Sequence, residues 1–365
     1  MVNQIKFAIV GCGRIAERHI EAIFLTKHAK LVAVCDIDEI RAQEKAELAS
    51  VPYYRLYRDM LHKHPEIDVV AVLTPSGMHY EHVYEILKKY GKHILIEKPM
   101  VLTVSQGMEL KDIADQLNLH IFPVYQNRFN KAIQRVKTAI SVTNELGKVQ
   151  VGTVRVRWCR PQRYYDLSAW RGTWAMDGGA LTNQGIHYID LLRFLCGDVK
   201  RVHAKLCTLG ANIEVEDTGV AILEFESGAL GVLEIMTSAR PSDFEASISC
   251  VCDKGLAVIA GIATNELSTF SPDSTQESLC SETFKTVYGY GHNHIVQGII
   301  NCLINGASPA IDFYDGLKTI QLLHALYQSD EIDGWVNVDN AASSRLGTPD
   351  ESISNLYRNH EVSCA

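Results

Sequence analysis

The chain has no long apolar run: nothing in its 365 residues approaches the roughly 20 consecutive apolar residues that cross a bilayer. It has no basic block either. Lys and Arg number 35 against 43 Asp and Glu, a formal net charge of −8, so no cluster is available to neutralise a nucleic-acid backbone. A few arginines in a cleft still suffice for one anionic ligand, because they invert the field locally. Ten cysteines are scattered singly, with only Cys250 and Cys252 close together and no CxxC pair. That spacing suits neither a zinc site nor a disulfide framework, so reduced thiols are expected. No internal repeat is visible. The chain passes from Met1 straight into a strand without a charged-then-apolar leader. The expectation is a cytoplasmic protein that binds neither nucleic acid nor membrane.

What is present is ordinary globular composition, 47% apolar and 21% charged, in a chain long enough for two cores. Residues 5–10 form an apolar strand that runs into Gly11-Cys12-Gly13-Arg14-Ile15-Ala16 and then a helical pattern. This is G-x-G-x-x-A. The first glycine permits a tight turn, the second lets backbone approach a pyrophosphate, and the third position needs only to be small. N–H groups at the new helix's start, around Arg14 and Ile15, then face the phosphates. A second strand, 31–35, ends in Asp36, twenty residues beyond Ala16. A carboxylate there accepts from the adenosine ribose and repels a 2′-phosphate, and no arginine follows it immediately. NAD is therefore favoured over NADP. Asp36 could instead cap the helix expected over 38–49.

The alternation continues with strands at 68–73 and 120–125 and helices between, which gives a doubly wound parallel sheet. The 68–73 strand ends in Thr74-Pro75-Ser76-Gly77-Met78-His79. His79 and His82 sit three apart, but nothing completes a ligand set, so no metal is expected and both read as surface or cofactor-edge residues. The strand at 94–96 delivers Glu97, Lys98 and Pro99 to the carboxyl edge, where open α/β sheets bind ligands. A lysine there can act as acid or base if its surroundings tune it. After the 120–125 strand, Asn127 and Arg128 are polar residues of another strand end.

From residue 149 the pattern changes to strands with short turns, roughly 150–158, 200–209, 217–226, 229–237, 244–252 and 254–260. This is the signature of a mostly antiparallel sheet. Apolar residues on both of its faces suggest subunit pairing, as a homodimer or homotetramer. One helix, expected to run unbroken from Gly178 to Leu195, interrupts the strands. On it Asn183, His187 and Asp190 would share a face. Such a polar triplet suits an active site, as it would suit a core histidine satisfied by its own helix. The preceding loop carries Arg160, Arg163, Tyr164, Tyr165, Trp170, Arg171 and Trp174. Arginine forks and aromatic faces fit phosphate, carboxylate or sugar, or an interface. Helices return at 293–306 and 314–329. The resulting architecture is a Rossmann domain over 1–126, an α+β domain over 127–338, and a polar, loosely held tail over 339–365.

Four stretches together, Gly11-x-Gly13-x-x-Ala16, Thr74-Pro75-Ser76-x-x-His79, Glu97-Lys98-Pro99 and Gly178 to Asp190, resemble the Gfo/Idh/MocA family of NAD(P)-dependent sugar and cyclitol oxidoreductases. The resemblance runs to about Val338. It implies that Gly11, Gly13, Arg14, Ile15, Asp36, Thr74, Pro75, His79, Glu97 and Lys98 serve the cofactor. It also implies that Lys98 and His187 face the reacting carbinol, that the Lys98–Pro99 bond is cis, and that the second sheet mediates oligomers. Either Lys98 or His187 could be the base. One departure stands out: many members place an aspartate four residues before the histidine, where this chain has Asn183. A neutral amide can hold His187 or a substrate hydroxyl but cannot accept a proton. Within the family, the Tyr164-Tyr165…Trp170-Arg171 loop is most similar to nucleotide-sugar dehydrogenases that oxidise UDP-N-acetylglucosaminuronic acid at C-3 in surface-polysaccharide biosynthesis. On that likeness Asn127, Arg128, Arg163, Tyr164, Arg171, Asn183, His187 and Arg240 are substrate-binding candidates. The alternatives are an inositol or free-sugar dehydrogenase, and a non-catalytic NAD-sensing regulator.

Overall fold

The computed structural model describes residues 4–284, 288–339 and 343–358. They form two compact units, the first from residues 4–124, 292–315 and 349–358, the second from 125–291 and 316–348. The first unit is therefore assembled from three separated stretches of chain.

In the first unit, strands β1 (Ile5–Val10), β2 (Ala29–Cys35), β3 (Tyr53–Tyr54), β4 (Val69–Val72), β5 (His93–Ile96) and β6 (Ile121–Pro123) pair in the order β3-β2-β1-β4-β5-β6. Every pairing is parallel. Parallel strands need cover on both faces, and β4 is buried along its whole length. The Ala16–Leu25 helix turns Ala16, Ile20 and Ile23 inward, the spacing of one helical face. The Val104–Gln116 helix opens on a capping box between Thr103 and Gln106. The strand order reverses between β1 and β4, which opens a crevice at their carboxyl ends. The tail is less loose than its composition suggests. Arg358 makes two hydrogen bonds, 3.0 and 2.7 Å, to Glu81, and Asp350 caps a short helix at Glu351–Ser354. Residues 340–342 and 359–365 of that expected tail lie outside the described residues.

The second unit is built on eight strands: β7 (Val149–Arg157), β8 (Val199–Cys207), β9 (Thr218–Phe225), β10 (Leu230–Met236), β11 (Glu245–Cys252), β12 (Leu256–Ala260), β13 (Glu266–Phe270) and β14 (Val336–Asn337). Their order is β13-β12-β11-β7-β10-β9-β8-β14, and only the β7–β10 pair is parallel. One face packs under helices. The Ile186–Cys196 helix lies so close to β7 that a Cβ at Gly152 would fall 2.6 Å from Cys196 Sγ. The other face carries Ile222 opposite Val232 and Leu230 opposite Glu224, with ion pairs of Arg155 and Arg157 to Glu234 and Glu245 beside them.

Candidate functional site

The candidate cofactor-binding residues lie in the first unit. β1 ends at Gly11, whose φ of +102° is a left-handed conformation, and a Cβ there would lie 2.6 Å from the Leu73 carbonyl. Glycine is thus required by the end of β4 as well as by the turn. Gly13 differs: a Cβ there would meet no atom within 4 Å. Its open space, and the Ala16–Leu25 helix start beside it with no side-chain cap, fit a pyrophosphate. Arg14 is exposed and Ile15 half-buried at that helix start. Asp36 is not a helix cap; Asp38 fills that role by accepting from Ile40 and Arg41 N–H. Asp36 instead accepts from Cys12 N–H at 2.7 Å and Asp38 N–H at 2.9 Å, so its carboxylate is fixed to the glycine-rich turn itself. The Cys12 contact carried no sequence signal.

His79 and His82 are buried rather than on the surface. His79 Nδ1 lies 2.8 Å from Pro99 O and its Nε2 2.9 Å from Thr74 O, so it braces the turns after β4 and β5 from within. His82 Nδ1 sits 3.0 Å from Thr74 Oγ1. Burial pushes both imidazoles down, His82 to about 4. Thr74 and Pro75 are half-buried in the turn that His79 holds.

Lys98 is half-buried after β5, and the Lys98–Pro99 bond is cis. Its neighbour Glu97 is buried. One oxygen accepts the Lys98 N–H at 3.1 Å; the other lies 2.8 Å from His19 Nε2 and 3.5 Å from His292 Nε2. Burial alone would raise the Glu97 carboxyl, but the two imidazoles outweigh it and hold the group well below the usual carboxylate range. These three residues are also the one set of potential metal ligands among the described residues, with ligand atoms within 4.8 Å of one another. Metal-held histidines normally give their second N–H to an acceptor. Neither ring's Nδ1 has a hydrogen-bond partner, nor does His292 Nε2, and His19 Nε2 already faces Glu97, so His19 and Glu97 read as a hydrogen-bonded brace for the peptide before Lys98, with His292 packed against it. His19 and His292 were not legible as site residues, because only folding brings them to Glu97.

The candidate substrate-binding residues lie in the second unit. The helix expected from Gly178 to Leu195 is broken: one turn spans Ala180–Asn183 and a second helix starts at Ile186. A Cβ at Gly185, in the break, would meet Ile235 Cδ1 at 2.8 Å and the Ala180 and Leu181 carbonyls at 2.9 Å. Asn183 therefore stands on a separate turn from His187 and Asp190, which lie three apart on the second helix. Asn183 and His187 are half-buried, whereas Asp190 is 1% exposed. Its oxygens accept from Arg128 Nε at 2.7 Å, Arg128 Nη2 at 2.6 Å and Thr319 at 2.9 Å. Arg128, flanked by the Tyr125 and Phe194 rings, is thus bound two-to-two by a core carboxylate. Asn127 is buried beside it in the Gln126–Phe129 turn.

The arginine and aromatic loop does cluster. Tyr164 Oη accepts from Arg171 Nη1 and, at 3.0 Å, from Gln184 Nε2. The Arg171 guanidinium lies over the Tyr164 and Trp170 rings. Arg163 is exposed. Arg240, also exposed, donates to the Ala239 and Gly210 carbonyls at 2.8 and 3.0 Å. Two buried carboxyls with no signal in their own segments support this region. Asp177 accepts from Gly172 N–H at 2.8 Å and from Asn183 Nδ2. Glu216 accepts from Leu181 N–H and Tyr327 Oη, both at 2.9 Å, and burial pushes it up to about 8.

Residues 5–125 match the family model described as an oxidoreductase family with an NAD-binding Rossmann fold, and 133–258 match the GFO/IDH/MocA C-terminal domain. Among solved structures, the chain is similar to the WlbA dehydrogenase of Chromobacterium violaceum in complex with NADH and UDP-GlcNAcA. That likeness is 37% identity and a TM-score of 0.84 over 92% of this chain and 96% of that one. The Bordetella pertussis WlbA dehydrogenase, with the same two ligands, is 35% identical at a TM-score of 0.86, covering 93% and 99%. D-glucoside 3-dehydrogenase of Escherichia coli is 29% identical over 90% of this chain and 96% of its own length.

Proposed function

This chain belongs to the Gfo/Idh/MocA oxidoreductase family, and from that premise we propose that it oxidises a UDP-linked N-acetylated glucuronate at the C-3 hydroxyl, in surface-polysaccharide sugar biosynthesis. That it is an NAD-dependent dehydrogenase of sugars or polyols follows from the family and its relatives. The observation that carries the finer reading is its 35–37% identity, over more than nine-tenths of its length, to two dehydrogenases solved with NADH and UDP-GlcNAcA. The Tyr164–Arg171–Gln184 cluster adds hydrogen-bond donors and aromatic faces of the kind an anionic sugar needs.

When bound, NAD supplies the hydride acceptor, C4 of the nicotinamide. In this chain the uncapped Ala16–Leu25 helix start and the space at Gly13 would receive its phosphates, and Asp36 would receive its ribose. Lys98 and His187 share the proton chemistry: one removes the hydroxyl proton, the other steadies the developing alkoxide. Free thiols throughout the described cysteines suit a cytoplasmic setting.

The test is NADH formation on adding UDP-N-acetylglucosaminuronic acid, beside free sugars and inositols. Turnover of the nucleotide sugar with a kcat/KM well above the others is expected. Turnover of an inositol or free sugar alone would replace the substrate assignment. Tight NAD binding with no turnover of any of them would favour a sensing role.

A further inference from the structure

The loop that carries Arg171 and the turn that carries Asn183 are joined through one buried carboxylate, Asp177, which is 2% exposed. Its Oδ2 accepts the Gly172 N–H at 2.8 Å and its Oδ1 accepts from Asn183 Nδ2. The Gly172 end is rigid. That residue has a φ of +69°, and a Cβ there would lie 2.8 Å from Ile213. The Asp177 end is equally set, because Asp177 and Gly178 both donate their N–H to Thr173 O, at 3.1 and 2.9 Å. From Gly172 the chain leads back to Arg171, which donates to Tyr164 Oη, and Tyr164 Oη accepts from Gln184, the neighbour of Asn183. The four links close a ring.

A side-chain amide has a donor edge and an acceptor edge, and a carboxylate accepts only. Asn183 must therefore turn its NH₂ toward Asp177, which leaves its carbonyl oxygen on the other edge. An orientation that is ordinarily ambiguous is here set by chemistry. We propose that Asp177 is a specificity-determining positioning residue, which fixes Asn183 as a hydrogen-bond acceptor for a hydroxyl of the substrate sugar. The negative charge behind the amide polarises it and strengthens the oxygen as an acceptor. The proposal rests on the nucleotide-sugar reading above, since it needs a hydroxylated substrate.

Three variants test it with UDP-N-acetylglucosaminuronic acid. In Asp177→Asn the new carbonyl keeps the Gly172 N–H, so the new NH₂ faces Asn183 and inverts it. We expect kcat/KM to fall tenfold or more, with NAD affinity unchanged. In Asn183→Asp two carboxylates meet and must share a proton, so kcat/KM should decline with rising pH where the wild type does not. The double variant D177N/N183D restores a donor facing an acceptor, and should recover most of the loss and abolish that decline. Glu216 and Tyr165, two titratable groups that also feel Asp177, are the same in all three.

An Asp177→Asn enzyme within twofold of wild type, or a double variant no better than its parents, would overturn the proposal. If the wild type turns over no nucleotide sugar, the functional reading fails first, and thermal denaturation decides this one. N183D should lose stability relative to wild type and to the double variant as pH rises from 4 to 7. Parallel curves for all of them would sink it.

Discussion

Lys98 follows a residue whose carboxylate is buried, bonded to the Lys98 N–H and bridged to two imidazoles, so the backbone that presents the lysine is held from inside the unit. Removing the amine should therefore spare the fold. Lys98→Met should still bind NAD, by fluorescence titration, with a loss of affinity far smaller than the fall in turnover of the nucleotide sugar, roughly 10²–10⁴, the usual worth of a positioned proton-transfer group. Near-normal turnover would remove Lys98 from the mechanism. Glu216 offers a second residue-level expectation. Its carboxyl is raised from 4.5 to about 8, so the folded chain holds this proton more tightly than the unfolded chain does. Its contribution to stability is fully present below about pH 4.5 and is lost as pH rises through about 8. Each tenfold gain in proton affinity is worth about 1.4 kcal/mol, which makes the loss of order a few kcal/mol. Glu216→Gln should flatten the decline in Tm between pH 5 and 8 relative to wild type; an unchanged slope would mean that this carboxyl is ionised throughout.

The turn after β1 contains two glycines with different reasons to be glycine, and they can be separated. Gly11→Ala forces a Cβ against the Leu73 carbonyl and should lower Tm as well as NAD affinity. Gly13→Ala meets nothing in the protein and should leave Tm unchanged while NAD affinity falls tenfold or more. Equal loss of stability in both would mean that the space at Gly13 serves folding and not the cofactor. Elements of this kind are readable in the sequence because their causes are local: apolar runs, a fingerprint at each strand end, a change of period near residue 149. The break at Gly185 is not, because part of the crowding that leaves no room for a side chain there comes from Ile235 on β10, fifty residues away. The same holds for Arg128 and Asp190. Each looks like a site residue in its own segment, and only tertiary pairing makes them a core ion pair. The burial of His79 and His82, which look like surface or cofactor-edge residues in the sequence, is missed for a related reason: imidazoles count as polar in a pattern, yet a turn carbonyl can accept a ring N–H indoors.

At the scale of the molecule, the open face of the second sheet presents Ile222, 53% exposed, directly opposite Val232, 45% exposed, with Val220, Leu230 and Val251 also exposed nearby. Apolar surface rimmed by the Arg155, Arg157, Glu234 and Glu245 ion pairs is the composition of a subunit interface. We propose a homodimer or homotetramer formed through this face. A lysine substituted for Ile222 would put a charge at its centre, and Ile222→Lys should shift the protein to a smaller species in sedimentation, with NAD binding intact. A wild type that sediments as a monomer at micromolar concentration would reject the interface.

The first unit is completed by residues 292–315 and 349–358, which the ribosome reaches only after the whole of 125–291 has been made. At about 5–20 residues per second, roughly 10–30 s separate the emergence of β6 from that of His292. Until His292 is made, Glu97 lacks its second imidazole. The nucleotide-binding sheet is thus made early and closed late. Its final form in the cell depends on the other unit having been synthesised in between, and an N-terminal fragment ending at residue 124 would be caught permanently in the earlier state.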